Sequence, residues 1–283
     1  AFVVLFAHVD KIVEIIQLIF SCAFNQNAAY GAVFGLAIQW GVKRGIFSNE
    51  AGQGTGAQAS GAAEVSHPAK QGLVQAFSVY VDTLLVCTAT AVMILATNAF
   101  NVADPANAGG FISQFLPGIE KSNFTQEAVN NVLPGFGGTF VAVALFFFTF
   151  STVLAYAFYA DSSIAYLFKK DASGPGYKYG IILTRVAVIA ATFIGSVSSV
   201  DVVWNFGSAA VGAMAWFNII VIVLLGKPGI ATLKDYEAQK KLGLDPVFIP
   251  SRCGIEGAEL WDKIVPEHYA KELAALKAAE KGK

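Results

Sequence analysis

Charged residues are scarce in this sequence: Asp, Glu, Lys and Arg make up only 14 % of its 283 residues, whereas 55 % are hydrophobic. Soluble globular proteins carry about 25 % charged residues, so a soluble core does not account for this composition. The apolar residues also cluster in runs of about 20, the length that an α-helix needs to cross a bilayer. The composition therefore excludes an ordinary soluble domain and indicates an integral membrane protein.

Cysteine and catalytic motifs are lacking as well. The three cysteines, Cys22, Cys87 and Cys253, have neither an even count nor the C-x-x-C spacing of a metal or redox site, so free thiols are expected. The sequence contains no nucleophile elbow, phosphate-binding loop, zinc motif or nucleic-acid motif. It therefore gives no support to an enzyme, to an organic cofactor or to a nucleic-acid partner.

An initiator methionine, a basic leader and a cleavage site are all lacking at the start, where residues 1–7 are uniformly apolar. This stretch is interpreted as the end of a truncated transmembrane helix. Residues 8–27 then mix isoleucines with Asp10, Lys11 and Glu14 at helical spacing, which predicts an interfacial connector helix.

Apolar runs predict a transmembrane bundle over residues 28–226. Its predicted spans lie at about 28–63, 72–99, 139–168, 179–198 and 202–225. Residues 101–138, which hold three prolines, are expected to form an external loop or cap. Residues 227–283 carry mixed charge and an Ala-rich helical pattern, which predicts a soluble, solvent-exposed tail.

Basic residues near the predicted spans indicate the orientation, because Lys and Arg concentrate in cytoplasmic connections. If the tail is cytoplasmic, the connections on its side contain Lys70, Lys169, Lys170, Lys178, Lys227, Lys234, Lys240 and Lys241. The opposite side then holds only Lys11 and Lys121. This asymmetry predicts five spans in a multi-pass protein of the plasma (inner) membrane, with a cytoplasmic C-terminus.

The first predicted span is unusually rich in glycine between residues 41 and 63. Each interior glycine costs a helix about 0.5–1 kcal/mol relative to alanine, so the helix is expected to unwind around residues 49–56. Irregular backbone at membrane depth lines a cavity or is buried in protein, and its freed N–H and C=O groups suit a carboxylate, an ammonium group or sodium. Ser48, Asn49 and Glu50 place polar side chains at the same point, which predicts a binding site.

Structural explanations stay open beside this functional one. The small residues that follow Gly52 could form a face for close helix packing, and Glu50 could be a buried acid paired with Arg44. Asp82, inside the second span, is expected to pair with a lysine or to cap a backbone group, rather than to act in coupling. His67, before a proline, is expected to be a turn residue in a loop.

The segment GVKRGIFSNEAG at 41–52 resembles the signature of the alanine or glycine:cation symporters, the sodium:alanine symporter family. The similarity continues, in the order and spacing of that family, through His67-Pro68, the QGL at 71–73, Asp82-Thr83 and the CTATA at 87–91. The later motifs FST at 150–152 and Met214-Ala215 with Asn218 also look like that family's spans. The resemblance covers about residues 12–225 and excludes the tail.

The resemblance implies an all-α polytopic membrane protein with the LeuT-type inverted-repeat fold. This chain would hold the second repeat, five spans of which the first is broken, and the polar C-terminal tail. The N-terminal half of the same transporter would be a missing partner. The implied function is sodium-coupled symport of a small neutral amino acid, alanine or glycine, by alternating access in a lipid bilayer, with sodium as coupling ion and no other cofactor.

The resemblance also implies roles for individual residues. The zwitterion would bind at the unwound stretch and at the third span, through Phe47, Ser48, Asn49, Glu50, Ala51, Gly52, Gly54, Thr152 and Tyr156. Sodium would bind Ser151 and Thr152, whose hydroxyls, judged by their residue type alone, would instead donate to a carbonyl one turn earlier. Departures from the family pattern at 52–57 and at Tyr156 put the identity of the substrate in doubt more than the fold.

Two other classes of function remain as alternatives. A non-transporting membrane subunit, or a truncated remnant lacking the first repeat, would show no uptake even with a complementary N-terminal half. A channel would need a continuous polar pore, which one broken helix does not supply.

Overall fold

The computed structural model describes residues 2–24, 30–103, 110–120, 123–168 and 174–281. The chain is mostly helical and divides into two compact units. The first unit consists of residues 1–48 and 80–198, and the second unit consists of residues 49–79 and 199–283.

The elements follow one another in an almost entirely helical order. The first part of the chain contains α1 (Phe2–Ala7), a 3-10 turn (Val9–Lys11), α2 (Ile12–Phe24), α3 (Tyr30–Ser48), α4 (Thr55–Ser60), α5 (Pro68–Tyr80), a π-helical segment (Val81–Cys87) and α6 (Thr88–Ala96). The rest contains β1 (Asn101–Ala103), β2 (Phe111–Gln114), α7 (Phe124–Val132), α8 (Gly137–Leu167), α9 (Pro175–Val197), α10 (Val200–Lys241), a 3-10 turn (Pro250–Cys253), α11 (Glu259–His268) and α12 (Ala270–Lys281).

Four helices in the described part of the chain are long and apolar enough to cross a membrane. They are Pro68–Ala96, Gly137–Leu167, Pro175–Val197 and Val200–Lys241. The first joins α5, the π-helical segment and α6 without a break. These helices agree with a polytopic membrane protein, while the region of the first predicted span contains α3 and α4 with a non-helical stretch between them.

The helix that contains the last predicted span, residues 202–225, extends beyond that span. Helix α10 continues to Lys241 although Pro228 lies inside it. A proline removes one backbone hydrogen bond and usually kinks or ends a helix. The helix nevertheless continues into the residues that pack against the tail, so tertiary contacts override this local signal.

Strands β1 and β2 form a short hairpin within the region predicted to be an external loop or cap, in an otherwise mostly helical chain. The two strands pair antiparallel, with Asn101 opposite Gln114 and a bulge after Val102. The Asn101 side chain closes the hairpin, because its Nδ2 donates to the Leu116 carbonyl at 2.9 Å and its Oδ1 accepts from the Leu116 amide at 2.8 Å. The sequence gives no clear signal for this pairing. Prolines and glycines surround the strands, and the hydrogen bonds join residues that are distant in sequence.

A small core in the first unit holds the connector helix in place. Val4, Met93 and Val129 are at most 4 % exposed and pack together with neighbours from α1, α6 and α7. Ile15 of α2 is buried beside Val92 and its neighbours on α6. Ile12 is partly buried against the same cluster, whereas Val13, Ile16 and Phe20 are exposed. Helix α2 therefore packs on α6 through Ile12 and Ile15.

Helices α8 and α9 carry an ion pair within two candidate spans. Arg185 Nη2 donates to Asp161 Oδ2 at 3.0 Å. Charged groups in a bilayer are retained mainly where they pair with each other or face water. The pair therefore joins the two helices and neutralises both charges.

Asp161→Asn is expected to lower the melting temperature of the purified protein by several degrees, because it leaves the Arg185 charge uncompensated. A charge near a helix centre costs on the order of 2.5–3.5 kcal/mol in a bilayer. The double variant Asp161→Asn with Arg185→Gln should recover most of the loss in a thermal unfolding assay. Equal melting temperatures for the single and double variants would contradict an ion pair.

Residues 244–281 build a core of their own and are not a simple exposed tail. Val247, Val265 and Leu276 are at most 4 % exposed. Partly buried side chains surround them, namely Leu244, Ile249, Trp261, Tyr269 and Leu273. We call residues 244–281 the C-terminal module. Val247 comes from a non-helical stretch, Val265 from α11 and Leu276 from α12, so no single helical stripe in the sequence predicts the core.

The C-terminal module is bonded to the segment before α5, within the second unit. Ser66 Oγ donates to the Pro246 carbonyl at 2.7 Å, and the Phe248 amide donates to the Ser66 carbonyl at 2.9 Å. Lys70 Nζ lies 2.6 Å from Asp245 Oδ1. These contacts join residues about 180 positions apart.

His67 lies at a bend before α5, as expected of a turn residue in a loop, and its side chain is fully buried at this junction. Its Nδ1 accepts from the Ala69 amide at 3.2 Å, so His67 caps the start of α5. Its Nε2 lies 3.5 Å from Asp235 Oδ2. The ring also packs at 5.4 Å from Tyr236 and 5.3 Å from Phe248, measured between ring centroids.

Asp235 of α10 connects His67 to the C-terminal module. Its Oδ1 accepts from Arg252 Nε at 2.8 Å, and its Oδ2 accepts from Gln239 Nε2 at 2.7 Å. Gln239 also exchanges two hydrogen bonds with the backbone of Val247. Burial lowers the pKa of His67 below its ordinary value, although the carboxylate of Asp235 acts to raise it. His67 is therefore held as a neutral imidazole inside this network.

Candidate functional site

The glycine-rich segment is interrupted where α3 ends at Ser48 and α4 begins at Thr55. Glu50 adopts a φ of 55°, which is uncommon for a residue with a side chain, and Gly54 adopts a φ of 83°. Glycine tolerates such a conformation at no steric cost. We call residues 49–54 the interhelical turn.

Polar side chains of the interhelical turn satisfy part of its own backbone. Asn49 Oδ1 accepts from the Ala51 amide at 3.1 Å, and the Glu50 carbonyl accepts from the Gln53 amide at 3.0 Å. The hydroxyl of Thr55, at the start of α4, donates to Glu50 Oε2 at 2.6 Å. Asn49 and Glu50 thus shape the turn as well as adding polarity to it.

Asn218 of α10 contacts the interhelical turn from a distant part of the sequence. Its Nδ2 donates to the Gly52 carbonyl at 3.2 Å. Both residues belong to the second unit. Sequence reasoning placed Asn218 in a family motif without assigning it a contact, because nothing local links it to a turn 166 positions earlier.

Ser48 forms a polar cluster with the π-helical segment in the first unit. Its hydroxyl donates to Asp82 Oδ2 at 2.8 Å and lies 3.4 Å from Cys87 Sγ. Within the described part of the chain Asp82 thus pairs with the Ser48 hydroxyl, and not with a lysine or a backbone group as expected. Cys87 joins the cluster because it follows Asp82 by five residues, which is the spacing of hydrogen-bonded residues in a π-helix. Short π-helical segments are frequent at functional sites.

The remaining predicted site residues also lie in the first unit. Ser151 Oγ donates to the Phe148 carbonyl at 3.0 Å, a back-bond within α8. Thr152 and Tyr156 are exposed and one helical turn apart, so they share a face of α8. The Tyr156 ring packs edge-on against Tyr159 at 5.6 Å.

The predicted residues thus fall into two groups. The first unit holds Phe47, Ser48, Ser151, Thr152 and Tyr156, whereas the second unit holds Asn49, Glu50, Ala51, Gly52 and Gly54. Phe47 is 38 % exposed at the end of α3. Arg44, one turn earlier, places its guanidinium carbon 5.1 Å from the Trp40 ring centroid.

Comparison with known proteins supports the resemblance seen in the motifs. The model of the sodium:alanine symporter family matches residues 1–250. A putative sodium/proton-dependent alanine carrier protein, YrbD of Bacillus subtilis, is 52 % identical over 262 residues, which cover 92 % of this chain and 53 % of the relative. No solved structure matches the chain.

Two further relatives have similar names. The sodium/proton-dependent alanine carrier protein of Bacillus sp. strain PS3 is 46 % identical over 98 % of this chain and 61 % of its own length. The sodium/alanine symporter AgcS of Methanococcus maripaludis is 36 % identical over 84 % of this chain and 48 % of its own length. The chain thus spans about half the length of the curated relatives it matches.

Proposed function

Because the chain belongs to the sodium:alanine symporter family, we propose that it takes part in sodium-coupled symport of a small neutral amino acid, alanine or glycine. Three relatives that carry names of this kind support the proposal. Transport would proceed by alternating access and would make no covalent bond. The proposal concerns a whole transporter, since the chain spans about half the length of those relatives.

The interhelical turn carries the proposal for the substrate site. Backbone groups that leave the helical ladder keep their full hydrogen-bonding capacity, and half-helix ends favour charged ligands in transporters of broken-helix type. The positive φ angles at Glu50 and Gly54 hold this backbone outside the helix. The zwitterion's charged groups would bind around residues 49–54. Contacts of the substrate with Ser48, Thr152 and Tyr156 stay predictions from the family resemblance.

Ser151 and Thr152 are proposed as sodium ligands. A hydroxyl that donates to a carbonyl, as Ser151 does to Phe148, retains oxygen lone pairs that suit a hard cation. Sodium binding would shift the population toward a state that binds the amino acid. By linkage, the amino acid would then tighten sodium binding by the same factor.

The architecture proposed for the transporter is the second repeat of a LeuT-type fold. The broken helix α3–α4 would be its first span, followed by the four candidate spans. The protein would lie in the plasma (inner) membrane with a cytoplasmic C-terminus, as the lysine distribution favours. A complementary N-terminal half stays a prediction, as does the sharing of the substrate site with it.

Uptake of labelled alanine into proteoliposomes tests the function. The chain is reconstituted alone and together with the part of Bacillus subtilis YrbD that lies outside the aligned region, with and without a sodium gradient. The expected result is sodium-dependent uptake in the combined preparation, and Asn49→Ala should abolish this uptake. A transport-deficient subunit or remnant predicts no uptake in either preparation, and a channel predicts flux that does not saturate with alanine.

Ser151→Ala is expected to raise the sodium concentration for half-maximal uptake about tenfold or more, because a ligand of a charged group contributes about 1.5–3 kcal/mol. Ser196→Ala is the matched control, since Ser196 makes the same kind of back-bond, to Thr192, on α9. Equal sodium dependence in both variants would remove Ser151 from the sodium site.

A further inference from the structure

We propose that Asn218 is a positioning residue that fixes the shape of the interhelical turn through Gly52 and Gly54. The inference rests on the proposed role of this turn in binding the amino acid. Asn218 itself would not touch the substrate, and it would act by holding the backbone that does. Two separate contacts of one side chain carry the argument.

The first contact is a hydrogen bond. Asn218 Nδ2 donates to the Gly52 carbonyl at 3.2 Å, from the apolar helix α10 to a carbonyl in the turn between α3 and α4. A backbone carbonyl outside a helix needs a partner from the protein where water is excluded. The hydrogen bonds from Ala51 to Asn49, from Gln53 to Glu50 and from Thr55 to Glu50 join neighbours in the sequence, whereas the one from Asn218 comes from α10. Asn218 thus anchors the turn to a separate, rigid element.

The second contact is steric. A Cβ atom built on Gly54 would lie 3.0 Å from Asn218 Oδ1 and 3.2 Å from its Cγ, closer than nearly all real Cβ contacts. The φ of 83° at Gly54 disfavours any side chain as well. Gly54 therefore lets the turn approach the amide of Asn218, and the amide limits how far the turn can move toward α10.

The chemistry of the amide explains why asparagine suits this position. Leucine has a similar volume but lacks the donor, and an ionised aspartate would set a negative oxygen against the Gly52 carbonyl. An amide in an apolar span is costly unless it is hydrogen-bonded. A turn held in one shape binds a ligand more tightly, because less ordering remains to be done on binding.

The decisive experiment compares Asn218→Ala, Asn218→Asp and the control Asn205→Ala, which removes an exposed asparagine from the same helix. Asn218→Ala is expected to raise the KM for alanine about tenfold while the maximal rate changes less than about threefold, as for loss of one hydrogen bond that preorganises the site. Asn218→Asp should behave likewise at neutral pH and recover as the pH falls, because a protonated carboxyl can donate to Gly52. Recovery by acid is a readout that lost packing would not produce.

A second experiment introduces Gly54→Ala into the wild type and into Asn218→Ala. In wild type the added methyl group is crowded against Asn218, whereas in Asn218→Ala only the backbone strain remains. The double variant should therefore raise the KM for alanine by less than the two single effects combined. Purely additive effects, or an unchanged KM in Asn218→Ala, would overturn the inference.

Hydrogen exchange separates this inference from the proposed function. Asn218→Ala should speed amide exchange in peptides that cover residues 49–54, and Asn205→Ala should not. Faster exchange in a protein that transports no amino acid would sink the function and keep the positioning role. If Asn218→Ala left amide exchange unchanged in a protein that transports alanine, the positioning role would be wrong and the proposed function would stand.

Discussion

Leu276→Ala is expected to unfold the C-terminal module, so that a protease can cleave the chain near the end of α10. Leu276 is 1 % exposed and packs with Val247 and Val265. Removing a buried leucine costs about 2–5 kcal/mol, from lost burial and from the cavity left behind. A core of this size cannot absorb such a loss, because small cores supply only a few kcal/mol of stability. Limited trypsin digestion, followed by mass spectrometry, measures the effect.

Leu260→Ala is the matched control for this prediction, since Leu260 on α11 is 66 % exposed. The same substitution there should leave the digestion pattern unchanged. If both variants were cleaved as slowly as the wild type, the C-terminal module would not depend on a core around Leu276. The comparison therefore separates burial from a general effect of losing a leucine.

Acidification is expected to loosen the C-terminal module through His67. Burial lowers the pKa of His67 below about 6.5, its value in an unfolded chain, against the opposing effect of Asp235. Above that pH both states are neutral, and this residue adds no pH dependence. Below it the unfolded chain binds a proton that the folded one resists, so the free energy of unfolding falls, by at most about 1.4 kcal/mol per pH unit for one proton.

Hydrogen exchange of residues 244–281 between pH 7.5 and 5 measures this loss, after correction for the intrinsic pH dependence of exchange. His67→Asn removes the titration and keeps a side chain that can cap the Ala69 amide, so it should flatten the His67 contribution. His268→Asn is the control, because His268 is about half exposed and pairs with Glu64 at the surface. An identical acid response in His67→Asn and wild type would place the responsible proton elsewhere.

These predictions bear on the segment between α4 and α5 and on the first turn of α5, to which the C-terminal module is bonded. Ser66 and His67 of the segment and Lys70 of α5 each contact the module or the end of α10. This segment follows the short helix α4, and the interhelical turn lies immediately before α4. Loss of the module would therefore free one end of the region in which the substrate site is proposed.

Several features of this protein were determined by the sequence alone, because their signals are local. Sparse charge and long apolar runs indicated membrane-spanning helices, and the described residues contain four helices that are long and apolar enough to cross a membrane. The order and spacing of the motifs from Gly41 to Asn218 indicated the family, which the match over residues 1–250 confirms. The density of glycine indicated irregular backbone near Asn49, and α3 ends at Ser48.

Other features were decided only by the tertiary structure, because they join residues far apart in the chain. The hydrogen bonds from Asn218 to Gly52 and from Ser48 to Asp82 span 166 and 34 positions. His67 looks like a loop residue until the C-terminal module covers it. The module itself looks like a charged tail, because its buried residues are few and are spread over a non-helical stretch and two short helices. Local propensity and hydropathy act within one helix, whereas burial and polar pairing depend on which helices meet.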